Sequence, residues 1–134
     1  MDFADAMSST DSSVRLEPLT VLIIDDDPPV VNGLREFLEG EGYDVAVAAD
    51  GRAALDQLRR GLRPCAIVLD LMMPVMDGWQ FLEAIADDSE LNSIPLSITT
   101  SVPERAPKGR HVIPKPIDLD ALFERVRWAS EQAA

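Results

Sequence analysis

Three adjacent carboxylates, Asp25, Asp26 and Asp27, follow directly on an apolar run, Leu22 to Ile24, and two prolines come after them. Like charges at neighbouring positions repel, so a trio at the rim of an apolar segment calls for a counter-charge. A further acid, Asp70, ends a second apolar run, "CAIVL". Thr99 and Thr100 end a third, and Lys115 follows a fourth. If Asp25, Asp26 and Asp70 meet, burying them without a cation is costly. A hard divalent cation resolves that cost: Mg2+ takes oxygen ligands, keeps several waters, and commonly uses one or two carboxylates together with phosphate oxygens. A carboxylate beside such an ion can attack phosphorus to give an aspartyl phosphate. The phosphoryl oxygens then need positive and hydrogen-bonding partners, and Lys115 and Thr100 have that chemistry.

These side chains meet only if the intervening elements bring several strand ends to one edge, and the sequence predicts that they do. "LTVLII" (19–24) has the length and β-branched content of a strand. Pro28 and Pro29 suit the first turn of a helix, Val30, Leu34, Phe37, Leu38 and Glu41 fall on one face of it, apolar except at its end, and "GEG" (40–42) stops it. "YDVAVA" (43–48) is a second strand, and 52–60 a helix facing inward through Ala54, Leu55 and Leu58 and ended by Gly61. "CAIVLDL" (65–71) is a third strand, and Asp77-Gly78 opens a helix with Leu82, Ile85 and Ala86 inside. "IPLSITTS" (94–101) and "RHVIPK" (110–115) supply two more strands. Asp118 caps a last helix with a stripe of Leu119, Leu122, Phe123 and Val126. Strands apolar on both faces, alternating with helices, make a parallel sheet covered on both sides: a doubly wound α/β domain. Such sheets bind ligands beyond the C-terminal ends of their strands. Asp25, Asp26, Asp70, Thr100 and Lys115 all fall there.

Composition is compatible with one such domain. The chain has 134 residues, 46% of them hydrophobic, and no apolar run reaches the ~20 residues of a membrane span. Residues 1–18, with "SSTDSS", read as a flexible extension, leaving 19–134 as the folded domain. The N-terminus has neither the basic start nor the apolar stretch of a secretory signal. The single cysteine, Cys65, sits in an apolar run and reads as a buried, reduced thiol, so a cytoplasmic location is expected. A net charge of −12 argues against non-specific nucleic-acid binding. Residues 1–100 hold 19 acids and 6 bases, whereas 101–134 hold 5 acids and 6 bases.

Four segments in order resemble the receiver domains of two-component response regulators, the CheY-like family. "VLIIDDDPPV" is similar to the family's first strand and acidic pair, and "IVLDLMMPVMDG" to its phospho-acceptor segment. "PLSITTS" resembles its fourth strand with the hydroxyl residue, and "KP" (115–116) its lysine followed by proline. The resemblance spans residues 19–130. It implies a flavodoxin-like, five-stranded parallel sheet of order 2-1-3-4-5. It also implies phosphorylation of Asp70, Mg2+ bound by Asp26, by Asp25 directly or through water, by Asp70 and by the Met72 carbonyl, and a phosphoryl group held by Thr100 and Lys115. Thr99 is the alternative hydroxyl if the strand slips by one residue, and Asp27 is a supporting charge. The Lys115-Pro116 bond is often cis in the family. The partners implied are a histidine kinase or histidine phosphotransfer protein and a downstream protein target, with no direct nucleic-acid or membrane contact. A stand-alone receiver catalysing only its own phosphorylation and dephosphorylation is the expectation.

Two departures concern the signalling surface. Fifteen positions separate Thr100 from Lys115, and Pro103, Pro107 and Gly109 lie between them. A crossover with its own helix needs at least ~10–12 residues, and prolines break a long helix. The family's fourth helix is therefore expected to be short or absent. The position three before the lysine, where many receivers carry an aromatic switch residue, is Val112, beside His111.

Ordinary uses exist for each residue. An Asp beside the first helix could cap it, Asp70 could end a strand, Lys115 could be a surface lysine and Thr100 a strand threonine. His111 reads as a structural or exposed histidine rather than a phospho-carrier, Met72, Met73 and Met76 as packing at the pocket rim, and Trp128 as a partly exposed packing residue or a partner contact. Two rival functions share the fold class. One is a Mg2+-dependent phosphatase with Asp25 as nucleophile and Asp27 as acid. The other is a pseudo-receiver that binds partners without being phosphorylated.

Overall fold

Runs of β-branched and aliphatic residues become the strands and Gly- or Pro-marked segments the turns in the computed structural model, which describes residues 19–133. The strands are β1 (Thr20–Ile24), β2 (Asp44–Ala48), β3 (Ala66–Asp70), β4 (Leu96–Thr100) and β5 (His111–Pro114). The helices are α1 (Pro28–Gly40), α2 (Gly51–Arg59), α3 (Gly78–Ile85), the single turn α4 (Ser89–Asn92) and α5 (Leu119–Gln132). The flexible extension expected for 1–18 lies outside the described residues.

All strand pairs are parallel, and the order is β2-β1-β3-β4-β5, as expected. Alternation along the strands divides the interior. Leu22, Ile24, Ile67, Leu69, Leu96 and Ile98 face α2 and α3, where Ala54, Leu55, Leu58, Phe81, Leu82 and Ile85 meet them. Val21, Ile23, Ala66, Val68 and Ile113 face α1 and α5, where they pack on Leu34, Leu38, Leu122 and Val126. A sheet buried on both faces explains why its central strands read as unbroken apolar runs.

The structure corrects several details of the helical faces. On α1 Val30 packs half-buried against the core as expected, and Val31, which was missed, is buried. Ala86 is exposed at the end of α3, and the inner residue missed there is Phe81. Leu119 is exposed on α5, Phe123 is half-buried, and Ala129 completes the stripe. The turn α4 was not anticipated. Asp88 caps it by accepting hydrogen bonds from the Glu90 and Leu91 N–H groups. Between β4 and β5 there is no α-helix, only a 3-10 turn at Pro103–Arg105 with none of its residues buried. The prolines act there as expected.

Candidate phospho-acceptor site

Strand alternation also aims the reactive side chains. Asp25 continues the row of Val21 and Ile23, Asp70 the row of Ala66 and Val68, and Lys115 the row of Ile113. All three therefore lean to one side of the same sheet edge. The Lys115 ammonium lies 3.1 Å from Asp25 Oδ2 and 3.4 Å from Asp70 Oδ1. Asp26 joins them, and carboxylate oxygens of Asp25, Asp26 and Asp70 lie within 4.8 Å of one another. Asp25 and Asp70 are 3% and 5% exposed, while Asp26 is exposed. Asp25 does not cap the helix: its Oδ1 accepts the Asp27 N–H at 2.9 Å, ahead of the first helical turn, while its other oxygen faces Lys115. Asp27 occupies the N-cap of α1 with no hydrogen bond from its own side chain to the helix.

One ammonium cannot satisfy three carboxylates. Burial, then the Asp25 charge, pushes the Asp70 pKa up; Lys115 and the Met72 N–H oppose this without reversing it. Burial acts to lower the Lys115 pKa, but hydrogen bonding and charge attraction from Asp25 and Asp70 outweigh it, and the net shift is upward. The lysine is favoured as a cation, and three carboxyl groups face its single positive charge, an excess of acidic groups. That excess, with hard oxygen donors grouped at one mouth, fits a divalent cation of the Mg2+ type.

Thr100 is brought to the same edge but is already engaged: its Oγ1 accepts the Val102 N–H at 3.1 Å. Thr99, the register partner of Asp70, turns its hydroxyl to the Leu69 carbonyl at 3.5 Å inside the domain. Both threonines are buried. The Lys115-Pro116 bond is cis. Val112 is half-buried, and the neighbouring His111 accepts or donates a hydrogen bond at Nδ1 with Ser97 Oγ, 2.8 Å away. Arg125 Nε donates to the same Ser97 oxygen, and burial followed by the Arg125 charge lowers the His111 pKa. His111 is exposed and tied to Ser97, which agrees with its reading as a structural or exposed histidine. Trp128 is 44% exposed and carries the Arg125 guanidinium 4.4 Å from its ring centroid.

The segment after Asp70 is fixed by close packing. A Cβ on Gly78 would lie 2.7 Å from Leu71 Cα and 2.9 Å from the Asp70 carbonyl oxygen, so only glycine lets α3 start against the acceptor strand. Asp77 then caps α3 in a reciprocal pair with Gln80. Within the same loop Val75 has φ of 65°, a left-handed conformation that suits glycine and strains a β-branched residue, and it is 79% exposed. Val75→Gly is expected to stabilise the fold by about 1 kcal/mol, the left-handed cost of ~1–2 kcal/mol less glycine's extra chain entropy. Urea unfolding of the two proteins checks this; a lower midpoint in the glycine variant would contradict it.

Sequence reasoning missed one contact at the site's mouth. Arg105, on the 3-10 turn, places its guanidinium 5.5 Å from the centroid of the Trp79 ring on α3. Neither residue has a periodicity that predicts the pair, since it depends on how the shortened crossover folds back.

A parallel doubly wound sheet with two buried carboxylates and a lysine gathered at its C-terminal edge defines the class, an α/β domain with its polar site at the strand ends. More narrowly, this chain belongs to the response regulator receiver domain family, whose model matches residues 21–127. Response regulator Rre1 of Synechocystis sp. is 34% identical over 131 residues, covering 88% of this chain and 55% of that protein. Response regulator MprA of Mycolicibacterium vanbaalenii is 39% identical over 117 residues, covering 82% of this chain and 49% of that protein. Among solved structures, chemotaxis response regulator CheY4 of Vibrio cholerae superimposes with a TM-score of 0.72 at 28% identity, over 84% of this chain and 98% of that one. The chain spans about half the length of the curated relatives it matches. Among the described residues, no helix is long and apolar enough to cross a membrane.

Proposed function

We propose that this domain accepts a phosphoryl group on Asp70 from a phosphohistidine, carried by a histidine kinase or a histidine phosphotransfer protein, and signals through altered protein contacts. The observation that carries this reading is the Lys115 ammonium between two buried carboxylates, 3.1 Å from Asp25 and 3.4 Å from Asp70, with Asp26 beside them. An Asp70 carboxylate oxygen attacks phosphorus, the bond from phosphorus to the donor imidazole nitrogen breaks, and that nitrogen keeps the electron pair. Lys115 neutralises the oxygens of the incoming group, and the Thr100 hydroxyl donates to one of them after its contact with Val102 rearranges. Mg2+ held by Asp26, Asp70 and the Met72 carbonyl, with Asp25 directly or through water, would offset the charge on the phosphoryl oxygens. The chemistry is confined to the domain's own phosphorylation and dephosphorylation.

Intact-mass measurement after treatment with acetyl phosphate and Mg2+ tests the reading. A single adduct that is lost with EDTA supports it. Multiple turnover of a phosphomonoester without an adduct would mean a phosphatase, and no reaction at all would mean a pseudo-receiver.

The adduct is expected to decay slowly. Hydrolysis needs a water aligned opposite the aspartyl oxygen, and the positions two beyond Asp70 and two beyond Thr100 are Met72 and Val102, neither able to orient it. Met72 is 52% exposed, so a polar replacement there meets solvent. Met72→Asn combined with Val102→Glu is expected to speed decay about tenfold, or ~1.4 kcal/mol of barrier. Unchanged decay of the adduct in the double variant would show that water orientation is not limiting.

A further inference from the structure

Asp26, Met72, Trp79 and Arg105 share a cavity of about 470 Å3 at the mouth of the acidic site. Arg105 is the one cation lining it. Among the described residues no carboxylate lies within ion-pairing distance of its guanidinium, which rests over the Trp79 ring instead. A ring face holds a guanidinium weakly at an exposed site, whereas a phosphoryl group offers oxygens that match its planar fork.

The two partners differ in how firmly they are held. Trp79 follows Gly78, whose backbone is pressed against Leu71 and Asp70, and the Trp79 side chain is partly buried against the core. Arg105 sits on a turn with no buried residues. That turn hangs from the site through two hydrogen bonds: Val102 N–H donates to Thr100 Oγ1 at 3.1 Å, and Arg105 N–H donates to the Val102 carbonyl at 2.9 Å. A change in the Thr100 hydroxyl therefore reaches Arg105 within two links. Turns of this kind are cheap to reorder, because few buried contacts oppose the change.

We propose that Arg105 is a phosphoryl-sensing side chain: it rests on Trp79 while Asp70 is a free carboxylate, and it moves to the phosphoryl oxygens once Asp70 is phosphorylated. This rests on the acceptor reading above. It gives the shortened crossover a role in place of the missing helix. The charge that leaves Trp79 draws residues 101–106 over the cavity, and the surface offered to a partner changes there.

Trp79 is a reporter built into the proposal, because the chain has only one other tryptophan, Trp128. The experiment uses the full chain carrying Trp128→Phe, with beryllofluoride and Mg2+ as the phosphoryl mimic and acetyl phosphate for the covalent adduct. Beryllofluoride is expected to change Trp79 emission, and Arg105→Ala is expected to remove most of that change. The same substitution should raise the half-saturating beryllofluoride concentration about two- to fivefold, as for loss of one exposed charge pair. Arg105→Lys should restore the affinity in part. The Asp70 adduct by intact mass and the unfolding midpoint should persist in both variants, which separates sensing from a structural role. An equal emission change and equal affinity in Arg105→Ala overturn the inference while leaving the acceptor reading intact. Absence of any adduct and any mimic binding in the parent overturns both.

Discussion

Asp70→Asn is expected to abolish the phosphoryl adduct entirely and, in EDTA at neutral pH, to raise thermal stability. The first effect follows because an amide offers phosphorus no anionic oxygen at the position Lys115 and Asp26 surround. The second follows from the raised Asp70 pKa, caused by burial and then by Asp25. A carboxyl whose folded pKa is raised binds more protons in the folded state. Its stabilising contribution is complete below the unfolded value, about pH 4, and is lost as pH rises through the folded value. Above the folded value the wild-type protein has lost it, whereas the amide has no proton to lose. An ordinary single-site gain of ~1 kcal/mol reads as roughly 4 °C in Tm at this chain length. The advantage should vanish below about pH 4 and shrink when Mg2+ is added. A full-yield adduct in the variant would remove Asp70 from the role. A Tm advantage that does not change between acid and neutral pH would refute the electrostatic explanation.

Lys115→Met is expected to be the more destabilising of the two exchanges. It removes the one ammonium that, among the described residues, lies within reach of Asp25 and Asp70 while leaving both carboxylates buried. Breaking a buried pair from one side costs about 3 kcal/mol or more, because the remaining charge is left without a partner. Saturating Mg2+ should recover much of the lost stability by supplying the missing positive charge. Phosphorylation should nevertheless slow on the order of 100-fold, since a preorganised cation facing the transferring group is absent. Thermal unfolding with and without Mg2+, together with the rate of adduct formation from acetyl phosphate, measures both. Equal stability of variant and parent in EDTA would mean that the acids discharge themselves by protonation instead.

The acids, the lysine and the order of the strands were legible in the sequence for a simple reason. Each reactive residue terminates an apolar run, and in a parallel sheet the ends of such runs share one edge. Local signals located the turns as well: Gly42 and Gly61 take positive φ values where the helices were expected to stop. Helical faces were less legible. On α1 Val31 was missed: it is buried beside the half-buried Val30, one residue off the predicted stripe. Phe81 was missed because it lies in the first half of an eight-residue helix, too short for its period to stand out. Pairs that cross between elements, Arg105 with Trp79 and Ser97 with His111 and Arg125, carry no spacing signal at all. The Ser97 contact depends on β4 and β5 being neighbours in register, with Ser97 opposite His111. The Arg105 contact depends on the shape of one turn.

The division of the sheet into two apolar faces separates foldability from competence. In a half-exposed strand, slipping by one residue throws the greasy side into water, and folding itself polices the alignment. Here both sides of β3 are equally apolar: Ile67 and Leu69 on one, Ala66 and Val68 on the other. Losing one residue within that strand would still present aliphatic side chains to both layers. Asp70, however, would swing to the layer that α2 and α3 cover, and its distance to Lys115 would no longer be set by the 3.4 Å contact. The hydrophobic layers are indifferent to the difference between a working and a mute copy of this domain. Alignment is policed instead by the polar end of the strand, where a misplaced carboxylate has no ammonium to meet.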